Sequence, residues 1–410
     1  MNKIVQKIKT SLLMVFNLPV YWISIFYPKD NNLWVFGAWG GEKYCDSSKY
    51  LFEYVNNQCP TINAIWFTKN KQVLKIVKDK GYTACLAYSL KGYLLSIKAK
   101  VGVISVGTGD INKYAIGKMK IVQLWHGIPL KPVVYSDPKK VTKNNLEKLK
   151  KLSCIFPFLL KGTDCKGALV VSSSEETKAL FSRIFNTKNV KITGYPKYDS
   201  LFMNNLKNIK INNFFLEYKK KGFKLGLYAP TYRKKLEFDI VNYLIRDLNI
   251  INKRLREMKI ILAIRLHPAN FREVAIKPTK ENFIKSNIRI INDMEIEQDI
   301  YSVLPIFDFL ITDYSSIFFD YLLLDRPIIF TPFDMEQYIQ NNDQFLYDYE
   351  KITPGPKAKD WNEALEYIQE IKNFPNKYQK EREKIRNIFH KYVDGNNSKR
   401  VYDAIVKEIS

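Results

Sequence analysis

Eleven short, almost uninterrupted apolar runs, separated by lysine-rich stretches of helical character, limit what this chain can fold into. The first series is Leu33–Gly37, Ala64–Thr68, Val101–Ser105, Lys120–Trp125, Ala168–Ser172 and Val190–Thr193. The second is Lys224–Tyr228, Ile260–Arg265, Ile288–Ile291, Phe307–Thr312 and Pro327–Phe330. Runs that do not alternate apolar with polar suit strands covered by helices on both faces, which means parallel sheets in an α/β fold. A chain of 410 residues can bury two such cores. The Lys- and Asn-rich interval 201–222 carries the weakest strand signals and is expected to link two Rossmann-like domains, 29–200 and 223–410, the second ending in a helix.

Residues 1–28 differ from this pattern. Lys3, Lys7 and Lys9 precede an apolar, aromatic stretch from Ser11 to Tyr27 that Asn17 and Pro19 interrupt. It lies at the short limit for a bilayer span, so seating in the membrane interface is expected, with Leu12, Leu13, Phe16, Tyr21 and Trp22 entering the lipid boundary. A single span and a helix docked on the protein itself are the alternatives. No small-residue cleavage site follows, which argues against a signal peptide.

Lys and Arg number 65 against 41 Asp and Glu, a surplus of 24 positive charges that predicts a polyanionic partner. Zinc-finger spacing, an RNP motif and a recognition helix are all missing from the sequence, so an anionic membrane surface or polymer is expected rather than nucleic acid. The five cysteines form no C-x-x-C pair, which argues against a disulfide scaffold or zinc site and fits a reducing cytosol.

In doubly wound folds ligands bind beyond the carboxyl ends of the strands. Two of the three histidines fall there: His126 after Lys120–Trp125, and His267 after Ile260–Arg265. An imidazole can accept a proton near neutral pH, as activation of a hydroxyl requires. Gly127 would let the backbone approach a substrate closely, and Lys131 could add a positive charge. In Ile311-Thr-Asp-Tyr-Ser-Ser-Ile-Phe-Phe-Asp320 a strand ends, turns and opens a helix; Ser315 and Ser316 are expected as N-caps beside a phosphate site, with Asp320 one turn in. Arg233 could hold a phosphate bidentately. His390, in an expected terminal helix, reads as structural. The sequence has no Walker A loop, no G-x-G-x-x-G and no D-x-D pair, so neither a metal nor another cofactor is expected.

Taken in order, Trp125–Lys131, Thr193–Asp199, Tyr228–Arg233, Arg265–Pro268, Thr312–Ser316 with Phe319-Asp320, and Asp394–Ser398 resemble the motifs of the CDP-glycerol glycerophosphotransferase family of teichoic acid and capsule synthesis. The resemblance runs from about Trp34 to the C-terminus. It implies a glycosyltransferase-B type fold, two Rossmann-like domains facing across a cleft with a terminal helix returning toward the first, and reaction at phosphorus. It further implies His126 as general base, His267 near the donor pyrophosphate, and Arg233, Ser315, Ser316 and Asp320 as positions lining the donor site; Gly127, Lys131, Arg265 and Thr312 are expected beside them as substrate-binding residues. The implied donor is CDP-glycerol or CDP-ribitol, and the implied acceptor an undecaprenyl-diphosphate-linked saccharide or polymer. The expected location is the cytoplasmic face of the cell membrane, as a peripheral protein. A nucleotide-sugar glycosyltransferase of the same fold is the rival reading.

Overall fold

The computed structural model describes residues 3–133, 167–203, 210–231, 243, 246–266, 287–291, 299–341 and 345–410. They form two compact units, 1–126 with 133–199 and 394–410, and 127–132 with 200–393.

The first unit is built on β1 (Asp30–Phe36), β2 (Asn63–Thr68), β3 (Ala84–Leu86), β4 (Ala99–Ile104), β5 (Lys120–Gln123), β6 (Leu169–Ser172) and β7 (Val190–Ile192). Their order is β3-β2-β1-β4-β5-β6-β7, and every pairing is parallel. Trp34, Val35, Phe36, Trp66 and Phe67 are wholly buried, as strands covered on both faces require. The second unit holds β8 (Lys224–Tyr228), β9 (Ile260–Ile264), β10 (Ile288–Ile290), β11 (Phe309–Thr312) and β12 (Ile328–Phe330), ordered β10-β9-β8-β11-β12 and again parallel. Winding reverses between β1 and β4 in one sheet and between β8 and β11 in the other. These are the switch points where loops diverge and leave room for a ligand.

Every apolar run named above contains a strand. β3 escaped notice because three residues at a sheet edge carry too little pattern. The expected linker 201–222 is corrected: Lys210–Lys220 is a helix of the second unit, and the units divide between Asp199 and Ser200. The terminal helix Asn397–Ile409, counted above within the second domain's bounds, belongs to the first unit, in keeping with a terminal helix that returns toward the first domain.

Asn17 and Pro19, which interrupt the apolar stretch in sequence, do not break the helix: Lys3–Phe26 is one helix with Pro19 inside it. Pro19 and Val15 are both exposed, so the carbonyl left without its helical partner need not be buried. The opposite face is docked on the first unit. Asn17 accepts from the Tyr93 hydroxyl at 2.6 Å, the Ser24 hydroxyl accepts from Gly117 N–H at 2.8 Å, and Tyr21 is buried between them. Among the described residues no helix is long and apolar enough to cross a membrane.

Candidate active site

Gln123, the last residue of β5, is buried and bridges two loops. Its amide donates to the Val106 carbonyl at 3.2 Å and accepts from Trp125 N–H at 2.9 Å. The chain there turns through Trp125 at φ +54° and Gly127 at φ +143°, which leaves His126 half-buried on a sharp corner. The imidazole lies against Trp125, ring centroids 4.1 Å apart, and Trp39, 5.4 Å. Its carbonyl accepts from the Lys197 ammonium at 2.8 Å.

The loop after β1 supplies the other wall. Trp39, Gly40 and Gly41 all have positive φ, and the Asp110 carboxylate holds them from beneath. One Asp110 oxygen accepts Gly40 N–H at 2.6 Å; the other accepts Ser105 N–H and Val106 N–H, each at 2.8 Å. Burial pushes the Asp110 carboxyl above its ordinary range, while these backbone donors pull the other way. Asp46, also at positive φ, accepts the Trp39 indole N–H at 3.2 Å and lies 3.9 Å from the Lys197 ammonium. Three of the seven described non-glycine residues at positive φ, namely Trp39, Asp46 and Trp125, thus belong to this one cluster. Backbone strain of that kind persists where the surrounding contacts over-determine it, and it collects at functional sites.

Two motifs quoted separately from the sequence meet beside it. Asp199 accepts from Asn397 N–H at 2.7 Å, the Asn397 side-chain amide at 2.8 Å and Ser398 N–H at 2.8 Å. Arg400 adds a bond to the Thr193 carbonyl at 3.0 Å. The Asp394–Ser398 motif therefore clamps the Thr193–Asp199 turn that carries Lys197.

In the second unit the loops after β8 and β11 are tied together. Asp313 accepts Thr231 N–H at 2.8 Å and the Thr231 hydroxyl at 2.7 Å, and the Thr312 hydroxyl donates to the Ala229 carbonyl at 2.8 Å. Thr312 is thus engaged within the fold. Asp320 is buried and accepts the Tyr301 hydroxyl, so its role is also internal in this structure. The capping expected of Ser316 is corrected: the residue has helical φ and ψ and makes no side-chain cap bond to the five-residue helix Ile317–Tyr321. One turn of helix accumulates little dipole. Ser315 and Ser316 remain half-buried at the end of the loop. Arg265, half-buried just after β9, donates its N–H to the Tyr228 carbonyl at 2.9 Å.

Residues Gly127–Pro132 pack with the second unit, where Lys131 lies 4.7 Å above the Tyr338 ring, itself stacked on Tyr314 at 4.3 Å. His267 and Arg233 lie outside the described residues. His390 is buried at the end of helix Gln379–Phe389 and bonds the Phe319 carbonyl at 2.8 Å, a structural position. Among the described residues no cluster of three or more His, Cys, Asp or Glu could hold a metal.

Sequence reasoning missed Trp39, Asp46, Asp110 and Lys197. The run Gly37-Ala-Trp-Gly-Gly41 directly after the first strand was the available signal for the loop, and Lys197 stood inside a motif already marked.

Two doubly wound parallel sheets, with polar side chains gathered beyond the carboxyl ends of their strands, are the architecture of the glycosyltransferase-B type. The sequence model of the CDP-glycerol:poly(glycerophosphate) glycerophosphotransferases matches residues 20–407, and the chain belongs to that family. It is an enzyme whose donor is CDP-glycerol. The chain is 28% identical over 403 residues to the teichoic acid glycerol-phosphate transferase of Staphylococcus aureus, covering 92% of this chain and 94% of that one. It is 28% identical over 424 residues to the teichoic acid poly(glycerol phosphate) polymerase of Bacillus spizizenii, covering 99% of each. In fold it is similar to the wall teichoic acid polymerase TagF, with a TM-score of 0.73 and 22% identity over 99% of this chain and 98% of that one. A UDP-N-acetylglucosamine 2-epimerase from Listeria monocytogenes shares the architecture at a TM-score of 0.54 and 11% identity, covering 93% of this chain and 97% of that one.

Proposed function

We propose that this enzyme works at the cytoplasmic face of the membrane and transfers glycerol phosphate from CDP-glycerol to a hydroxyl of a lipid-linked saccharide or polymer, releasing CMP. The observation that carries the reading is His126, half-buried on a strained corner and held through ring and carbonyl alike. In the reaction the acceptor oxygen bonds to the phosphorus that bears glycerol while its proton passes to His126. The bond from that phosphorus to the bridging oxygen breaks, and CMP leaves with the electron pair. His267, Arg233, Arg265 and the Ser315 and Ser316 hydroxyls offset charge on the donor phosphates, with Lys131 adding a cation and Gly127 allowing close approach.

The test is to incubate purified enzyme with CDP-glycerol, and separately CDP-ribitol, over undecaprenyl-diphosphate-linked acceptor analogues and weigh the products. CMP release with mass increments of glycerol phosphate is expected. Increments of ribitol phosphate alone would reassign the donor, and a sugar increment from a nucleotide sugar would overturn the reading.

The helix Lys3–Phe26 supports the membrane location. Opposite its docked face, Leu12, Val15, Phe16, Pro19, Trp22, Ile23 and Phe26 recur at spacings of three and four and are all exposed. Such a stripe on a docked helix suits seating parallel to a lipid surface.

A further inference from the structure

We infer that Lys197, charge-balanced by Asp46, is the positioning residue for His126, and that the Asp199 clamp on the C-terminal segment sets where Lys197 stands. The inference rests on the reading of His126 as the proton acceptor. The Lys197 side chain is wholly buried, and Asp46 is nearly so. A buried ammonium is costly unless its hydrogen bonds and a counter-charge are arranged for it, so it occurs where geometry rather than stability is served. Here the arrangement is specific. The ammonium donates to the His126 carbonyl at 2.8 Å, faces Asp46 at 3.9 Å, and lies within 5.8 Å of the Tyr195 and Tyr198 ring centroids.

Pinning that carbonyl fixes the peptide plane joining His126 to Gly127, in a corner where Trp125 has φ +54° and Gly127 φ +143°. His126 lies outside any helix or strand, and at such a corner a small rotation of the plane swings the imidazole. Asp46 completes the support from the other side, because the carboxylate that balances Lys197 also accepts the indole N–H of Trp39, whose ring lies against the imidazole. The turn bearing Lys197 runs from Gly194, at φ +73°, to Asp199, whose carboxylate takes three hydrogen bonds from Asn397 and Ser398. A chain of direct contacts therefore runs from the terminal helix to the proton acceptor.

The experiment compares the full-length enzyme with Lys197→Met, Lys197→Arg, Lys197→Met/Asp46→Asn and His126→Ala, measuring kcat and KM for CDP-glycerol, thermal melting, and histidine-selective NMR. With three histidines in the chain, His126 is assigned by its loss in His126→Ala. Lys197→Met is expected to lower kcat about 100-fold, the scale of an ångström's misplacement, with KM changed less than about threefold. The His126 resonance should move while that of His390 stays. Lys197→Arg should recover part of the rate. The double variant removes both charges and so restores the melting temperature without restoring kcat. Recovery of kcat in the double variant, or a normal rate and unmoved His126 resonance in Lys197→Met, would overturn the inference while His126→Ala remained inactive. A near-normal rate in His126→Ala itself would instead overturn the reading on which the inference rests.

Discussion

His126 takes its chemical possibilities from neighbours contributed by loops after three different strands, Trp39, Trp125 and Lys197, with Asp110 holding the loop that carries Trp39. Replacing His126 by Ala removes the proposed proton acceptor and leaves those loops in place. The expected loss in kcat is about 10²- to 10⁴-fold, with an unchanged melting temperature, read by steady-state kinetics beside calorimetry. Asp110 acts differently, since its carboxylate satisfies backbone N–H groups of two loops in a buried setting. Asp110→Ala strands those donors at about 1–3 kcal/mol each where water cannot enter. A loss of about 3 kcal/mol or more in chemical denaturation is expected, and a loss below about 1 kcal/mol would show that the loops relax to other partners.

At the scale of elements, the terminal helix Asn397–Ile409 is a component of the first unit. It is held at its start by Asp199 and at its end by Glu408, which accepts from Lys120 of β5 at 2.6 Å. The Lys120 ammonium holds the Glu408 carboxyl below the usual carboxylate range. A depressed folded pKa means stability that is present above the unfolded value and lost as pH falls through the folded one. Glu408→Gln should therefore cost about 0.5–1 kcal/mol at neutral pH, and the gap to wild type should close as pH falls through the depressed folded value; a gap that persisted in acid would point to packing instead. Gly194 joins the same junction: its φ of +73° disfavours any side chain, and an added Cβ would stand 1.8 Å from the Asn397 side-chain oxygen. Gly194→Ala should cost about 2 kcal/mol or more from backbone strain and displacement of Asn397, seen as a lower melting temperature with faster hydrogen exchange in the terminal helix.

For the whole molecule, the surplus of 24 positive charges and the exposed stripe of the N-terminal helix predict two separable contributions to lipid binding. Each basic residue near an anionic surface contributes about 1 kcal/mol and is screened by salt. Each buried phenylalanine contributes about 1.5–3 kcal/mol and is not. Phe16→Glu/Phe26→Glu, two exposed positions outside the docked face, should leave the melting temperature unchanged and binding to anionic vesicles intact at low salt, but abolish it at high salt where wild type stays bound. Equal sedimentation of both proteins at every salt concentration would remove the stripe as the lipid contact.

The sequence by itself determined the two parallel sheets, because a strand buried on both faces must be apolar throughout and that pattern is local. It also determined that His126 stands beyond a strand end, since strand and histidine are adjacent in the chain. Tertiary structure decided what surrounds it. Asp46, Asp110 and Lys197 reach the site from separate loops, and a single charged residue in a loop carries no mark of whether it will be buried, paired or solvated. The Thr193–Asp199 and Asp394–Ser398 motifs could each be seen in the sequence, but their hydrogen bonds join residues about 200 positions apart. Ser316 shows the converse. Its type favours capping, yet the turn after β11, tied to the loop after β8 through Asp313, sets a helical backbone at that residue and leaves no bond for its hydroxyl to make as a cap. Propensity is a preference of about 1 kcal/mol, and several fixed hydrogen bonds outweigh it.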